Sequence, residues 1–372
     1  MFNNRFKKPK IDIILALTTF VLLAFGLIML SSVSSVISFE NFGYTNFYLY
    51  RQLAWAGGGI VAWYLAQKID YHIYKKIALP LLIISIVLTL IVFIPHVGFT
   101  YNGATRWINS GVFRFQPSEV LKLALIIFMA SWFEDNRKNI NSLKKIFLPF
   151  CGIILLVGAM LAKQPDLGTL IVITVTLVAM YFVAGTRPAF MATIFGGAAV
   201  LIAGLIKAAP YRMQRFLVFL DPEKDPLGMG FHVNQALIAV GSGGWWGRGF
   251  GKSGQKYTGY IPEAVGDSAF AIIAEELGFI KILIFPIALF VIFAWRGYLI
   301  ARNSPDFFGK MLAFGITSWI IFQAILNICT MVALVPLTGV PLPFISYGGT
   351  SLIMVLLASG ILLNISKNQN RG

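Results

Sequence analysis

The chain has 372 residues, 58% of them apolar and only 12% charged, with 30 Lys and Arg against 15 Asp and Glu. Soluble domains carry about 25% charged residues, so this composition excludes a water-soluble fold, a disordered chain and a disulfide-stapled one. An all-α polytopic membrane protein remains, and its positive excess reads as a topology signal rather than as affinity for nucleic acid.

The basic start, Arg5, Lys7, Lys8 and Lys10, runs into an apolar segment too long for a signal peptide. No small-residue cleavage site follows, so the segment is expected to stay as a first span. About 20 apolar residues cross a bilayer as a helix. The sequence predicts ten such segments: 12–33, 51–67, 77–95, 117–133, 147–163, 166–184, 188–207, 268–295, 309–331 and 345–366. The two cysteines, Cys151 and Cys329, sit inside these runs as small hydrophobes. Between the seventh and eighth segments, 208–267 forms a long outer loop, in which 231–240 reads as a short amphipathic helix lying in the interface. Ten crossings put both termini on one side. With the N-terminus inside, the inner segments collect 17 Lys and Arg and the short outer loops only 4. The expected topology is therefore N-in, C-in.

That topology gathers polar residues at the outer starts of the even-numbered helices. Arg51 and Gln52 open the second, and Gln116-Pro117-Ser118-Glu119 with Lys122 opens the fourth. Lys163-Gln164-Pro165-Asp166 opens the sixth, Glu263 and Asp267 the eighth, and Ser346-Tyr347-Gly348-Gly349 the tenth. Pro117 and Pro165 suit a first helical position, where the missing N–H costs nothing. Helix starts aim unpaired N–H groups and a positive dipole end outward. Together with Arg51, Arg106, Lys122 and Lys163 they would seat a phosphate or pyrophosphate. The acids Glu119, Asp166, Glu263 and Asp267 suit a base or a divalent cation, because ions buried in a membrane are costly and usually functional. The plainer alternatives are dipole-compensating first-turn acids, snorkelling bases and an internal Glu119–Lys122 pair three residues apart. Arg212 and Arg215, beside Lys207, have the alternative of contacting ordinary anionic headgroups.

The run Gly241 to Gly249 is glycine-rich but lacks the Gly-Lys-Ser/Thr ending of a nucleotide-binding loop. It reads instead as tight turns at the lipid interface, anchored by Trp245 and Trp246. A reaction on that face must draw its energy from the substrate, and an activated lipid pyrophosphate fits both the anion seat and the membrane. Glu275 and Glu276, adjacent in the eighth helix, point in different directions and have no evident role.

Seven strings are similar in order to one family. They are Gln116-Pro117-Ser118-Glu119 with Lys122; Gln164 to Thr169; Tyr211 to Pro222; Gly241-Ser242-Gly243-Gly244; Ile261-Pro262-Glu263 with Asp267; Glu275-Glu276-Leu277-Gly278; and Pro343 to Gly349. They resemble the SEDS proteins of shape, elongation, division and sporulation, and the resemblance covers nearly the whole chain. Gln255-Lys256 followed by Pro262-Glu263-Ala264 looks more like the FtsW branch than the RodA branch.

The resemblance implies a ten-helix peptidoglycan glycosyltransferase in the bacterial cytoplasmic membrane, polymerising lipid II on the outer face. It implies a class B penicillin-binding protein as transpeptidase partner, other divisome membrane proteins as neighbours, and room for Mg²⁺ or Mn²⁺. The family's essential acid falls on Asp267, where the usual preceding His-Thr is replaced by Val265-Gly266 and the following Phe by Ser268. Deprotonating a sugar hydroxyl as it attacks is a carboxylate's task. The expected substrate contacts are Arg51, Arg106, Lys122, Glu119, Asp166, Arg212, Glu263, Ser346 and Tyr347, with Asp267, Asp166 and Glu119 as metal candidates. Two other classes compete: a lipid II flippase, which needs polar residues through the full membrane depth, and a non-catalytic scaffold.

Overall fold

The computed structural model describes residues 11–101, 104–109, 114–208, 210–221, 228–257 and 261–368. The first helices are α1 (Ile13–Val33), α2 (Ser35–Phe42), α3 (Phe47–Lys68), α4 (His72–Lys76) and α5 (Ala78–Ile91). Three strands follow, β1 (Gly98–Tyr101), β2 (Ala104–Asn109) and β3 (Arg114–Phe115). Next come α6 (Pro117–Asp135), α7 (Leu148–Lys163), entered through a π turn at Leu143–Phe147, and α8 (Leu167–Val183). α9 (Pro188–Ala208), α10 (Pro210–Leu220) and α11 (Met229–Ser242) lead to α12 (Ala269–Ile282). A second π turn, Leu283–Ile287, joins α12 to α13 (Ala288–Arg302), and α14 (Phe307–Met331) and α15 (Gly349–Lys367) complete the chain.

Every one of the ten apolar segments falls on helix. Among the described residues five helical stretches are long and apolar enough to cross a membrane: Ile13–Val33, Leu143–Lys163, Ala269–Arg302, Phe307–Met331 and Gly349–Lys367. α5 and α8 are apolar but shorter. The bundle centres on α14, which packs against α6, α8 and α13, and on α15, which lies along α3. Leu312, Ile316, Trp319 and Ile320 of α14 are buried in this core. A Cβ on Gly360 would meet the backbone of Trp63 and the side chain of Ala66, so α3 and α15 touch at backbone distance.

Local chemistry sets the helix ends. Asp12 caps α1, its carboxylate accepting from the Leu15 N–H at 3.0 Å and from Arg296 of α13, and its own N–H donates to Ser366 Oγ at 3.1 Å. At the same end Lys75 pairs with Glu134 at 2.6 Å and Asp135 at 2.9 Å. The His72 backbone N–H and imidazole hold the Asp70 carboxyl below the usual carboxylate range.

Two features differ from the sequence expectations. The fold is not purely helical, because β1, β2 and β3 form an antiparallel sheet in that order between α5 and α6. The expected short helix at 231–240 is present as α11. It packs on α12 and α14 with Ala236 and Ala239 buried, because small residues on that face let the backbones approach. Pro165 is not the first residue of α8, since Asp166 is the N-cap and its carboxylate accepts from Thr169 N–H at 3.4 Å. Pro117 does stand at the start of α6.

Candidate functional site

Asp267 lies in the turns between Ile261 and Ser268, just before α12. This segment is knotted from within. Gly266 N–H donates to Glu263 O at 2.9 Å and Ser268 Oγ to Pro262 O at 2.9 Å. His232 Nε2 on α11 lies 2.7 Å from the same hydroxyl. The Asp267 carbonyl accepts from Asn327 Nδ2 at 2.7 Å. A Cβ placed on Gly339 would lie 3.5 Å from Asp267 Oδ2 and 3.9 Å from Arg106 Nη1. Gly339, at φ +69°, therefore forms the wall facing both groups, where a side chain would be strained by its backbone and its Cβ would sit in contact with them.

Strand β2 delivers Arg106 to this point. Its guanidinium donates to the carbonyls of Gln164 (3.2 Å) and Pro165 and lies 3.7 Å from Asp166 Oδ1. Asp166 is buried, and its Oδ2 has no hydrogen-bond partner. The pleat of the short sheet thus carries a cation from the α5–α6 connection to the start of α8. Asp267, Arg106 and Asp166 come together in one place.

Lys122 and Glu119 form a second, fully buried group on α6. Lys122 Nζ lies 2.7 Å from Glu119 Oε1 and 2.8 Å from Gln323 Oε1, with the Trp319 ring centroid 5.1 Å away. Two of the ammonium's three donors are thereby directed inside the protein. The internal pair is real, and Gln323 continues it: its Nε2 donates to Pro341 O at 2.9 Å, beside the Gly339 wall.

Of the remaining expected contacts, Ser346 and Tyr347 lie on the strap before α15, tied to the Asp267 segment and to α3. Tyr347 N–H donates to Val265 O at 2.9 Å, Ser346 Oγ accepts from Leu342 N–H at 3.0 Å, and Gln52 bridges Ser346 O and Gly348 N–H, both at 3.3 Å. The Tyr347 ring meets Tyr48 edge-on at 5.0 Å. Arg51 and Arg114 lie within the electrostatic reach of both rings, and Glu263 within that of Tyr48. Arg51 also sits 5.4 Å from the Phe47 ring. Arg212 stands on α10, but its side chain lies outside the described residues, as does that of Arg215.

Glu275 and Glu276 serve a neighbouring structure. Glu275 accepts from Arg248 at 3.0 Å, Gly254 N–H at 3.2 Å, Gln255 N–H at 3.3 Å and Ser253 Oγ. Glu276 faces the other way, toward Ser32 Oγ at 2.7 Å and Lys256 at 3.7 Å. Gly278, at φ +76°, breaks α12. The freed backbone pairs with the Gly241–Gly249 run: Arg248 and Gly249 N–H donate to the carbonyls of Glu275 and Glu276, both at 3.0 Å. Phe279 and Ile280 N–H donate to those of Gly244 (2.9 Å) and Trp245 (3.1 Å). The glycines are there for this backbone contact as well as for turns, and Trp245 and Trp246 remain exposed.

Among the described residues no three of His, Cys, Asp and Glu gather as a metal cage. Asp166 and Asp267 are two carboxylates at one site, the share that Mg²⁺ takes where substrate phosphates supply the rest. Glu119 is engaged by Lys122. Sequence reasoning missed Gln323, Asn327, His232 and Gly339. The available signal for the first two was a pair of carboxamides four residues apart, on one face of an apolar helix.

A family model described as FtsW, RodA and SpoVE cell cycle protein matches residues 13–371. The chain is 42% identical to stage V sporulation protein E of Bacillus subtilis, over 97% of this chain and 98% of that one. It is 38% identical to the probable peptidoglycan glycosyltransferase FtsW of Trichlorobacter lovleyi, over 98% and 96%. Among solved structures, a chain of a peptidoglycan synthase complex that coordinates polymerization and crosslinking matches with TM-score 0.80 at 26% identity, covering 97% of this chain and 99% of that one. Rod shape determining protein RodA of Thermus thermophilus matches with TM-score 0.70 at 25% identity, over 97% and 98%.

Proposed function

Since the chain belongs to the FtsW, RodA and SpoVE family of cell cycle proteins, we propose that it is a peptidoglycan glycosyltransferase that polymerises lipid II during cell division. The reaction takes place at the outer face of the cytoplasmic membrane, in an N-in, C-in chain of ten spans. The 4-hydroxyl of the acceptor's N-acetylglucosamine attacks the anomeric carbon of the donor, and undecaprenyl pyrophosphate leaves. An α-linked donor gives a β-1,4 product in one displacement. What supports this reading most is the convergence of Asp267, Arg106 and Asp166 at the Gly339 wall.

Asp267 takes the proton of the attacking hydroxyl. Arg106, with Arg51 and Lys122, stabilises charge developing on the leaving pyrophosphate, where fixed cations in a water-poor site act most strongly. Asp166 holds the Arg106 guanidinium from the other side. Mg²⁺ or Mn²⁺ bound by Asp166 and Asp267 would add positive charge against the pyrophosphate. The backbone strap through Ser346 and Tyr347, Glu263 and the Arg212 region contact the sugars and lipid phosphates. The partner is a class B penicillin-binding protein that crosslinks the strand as it emerges.

Asp267→Asn tests the assignment: with purified protein and labelled lipid II, polymerisation falls about 10²- to 10⁴-fold, the range removed with a general base, while melting is unchanged. Unaltered polymer length and rate would reject it. A second reading, a lipid II flippase, gains from the break in α12 at Gly278, since transporters use interrupted helices. Yet the break is stitched to the Gly241–Gly249 run by four backbone hydrogen bonds. Fluorescent lipid II in proteoliposomes separates the two, because an outer-face polymerase moves no lipid across.

A further inference from the structure

The connection between α14 and α15 has no helix or strand, yet Thr338, Val340, Leu342 and Phe344 are buried in it. Irregular backbone in such a place needs partners for its polar groups. One face of α14 supplies them turn by turn. Gln323 donates to Pro341 O at 2.9 Å, Asn327 to Val340 O at 2.8 Å, and Thr330 Oγ1 lies 3.3 Å from Thr338 Oγ1. Asn327 differs from its neighbours, because the same Nδ2 also donates to Asp267 O at 2.7 Å. Its Oδ1 is buried and has no hydrogen-bond partner, so the two carbonyls alone fix the orientation of the amide.

Val340 adjoins Gly339, which faces the Asp267 carboxylate and Arg106. One amide therefore ties together the residue that carries the acid and the wall opposite it. We propose that Asn327 is a positioning residue that fixes the gap between the Asp267 carboxylate and the Gly339–Arg106 wall, an inference that rests on Asp267 being the reacting acid. Merely satisfying two buried carbonyls would stabilise the fold without setting that gap, and the two roles part in experiment.

The test compares Asn327→Leu and Asn327→Asp in the purified full chain by hydrogen–deuterium exchange and by turnover of labelled lipid II. In Asn327→Leu the amides of 261–268 and 336–345 exchange about tenfold faster, as loss of a local tie predicts, while α1 and α3 exchange as in the wild type. Turnover falls about tenfold or more, with KM within about twofold, the pattern of an interaction needed for the transition state alone. The carboxyl of Asn327→Asp faces two carbonyl oxygens, which favours its protonated form. It regains one donor on acidification, so its turnover relative to wild type rises as pH falls, and that of Asn327→Leu does not. Unchanged exchange in both segments overturns the proposal, as does a turnover loss that follows global unfolding with no acid recovery. A wild type inactive on lipid II would sink the functional reading instead, and the exchange result would still decide whether Asn327 couples the two segments.

Discussion

At the scale of single residues, the strongest constraint is the cost of burying charge. Lys122 and Glu119 have side chains only 2% and 1% exposed, so removing one leaves the other uncompensated. Lys122→Met is expected to destabilise by about 3–5 kcal/mol, the usual result of breaking a buried pair from one side. Replacing both by apolar residues, Glu119→Leu with Lys122→Met, recovers most of the lost melting temperature, because Gln323 Oε1 keeps the Trp319 indole N–H at 2.9 Å. Polymerisation stays absent in the double variant if the third donor of Lys122 reaches the pyrophosphate. A stable, fully active double variant would make the pair purely structural. The acids and bases of this site were readable from the sequence because charge stands out in an apolar chain. Asn327 and Gln323 were not, because a carboxamide in an apolar helix looks the same whether it faces a neighbouring helix, a loop or a ligand. Only the fold shows that one of them reaches the Asp267 carbonyl.

Elements were legible where apolar runs are long, and each of the ten segments did fall on helix. The short sheet was missed although β1 and β2 are rich in aromatic and β-branched residues and Asn102-Gly103 lies between them in the chain, a strong hairpin signal. In a chain dominated by long apolar runs so short a hairpin does not stand out, and Arg106 owes its place to that sheet. The break in α12 was equally hidden, since Glu275-Glu276-Leu277-Gly278 fits a continuous helix until the Gly241–Gly249 run is seen bonded to it. Glu275 holds the far side of that run through Arg248 and the 253–255 turn. Hydrogen bonds to a charged group contribute about 1.5–3 kcal/mol each, so Glu275→Gln is expected to open the turn locally. Limited trypsin digestion should then cut at Arg248 or Lys252 about tenfold faster, tenfold corresponding to the loss of roughly 1.4 kcal/mol of local opening free energy, while the melting temperature moves little. Cleavage at the wild-type rate would show that the backbone pairing with α12 suffices alone.

For the whole molecule, charge sorts the two ends of the bundle differently. The end holding Asp12–Arg296, Lys75–Glu134 and Lys144 is rich in Lys and Arg, with Lys68, Lys76, Arg137, Lys138, Lys144 and Lys145 exposed. At the opposite end Arg106 and Arg248 turn onto the buried carboxylates of Asp166 and Glu275, and Asp267 and Arg106 both face Gly339. A bilayer reads that difference as orientation, because positive residues in short loops are retained on the cytoplasmic side. If the end with Asp267 faces out, an enzyme there can meet a lipid-linked sugar but no cytoplasmic nucleotide, which is why the donor must arrive already activated. The orientation is open to direct measurement in a chain with only two native cysteines. In a Cys151→Ser, Cys329→Ser background, Lys252→Cys is expected to react with an impermeant maleimide on intact spheroplasts, since Lys252 is exposed beside the Asp267 end. Lys144→Cys, exposed at the other end, should react only after the membrane is permeabilised. The reverse pattern would place Asp267 against the cytoplasm and remove the physical reason for a lipid pyrophosphate donor, whereas labelling of both from outside would mean that the chain between Lys144 and Lys252 does not cross an odd number of times, against the three spans expected there.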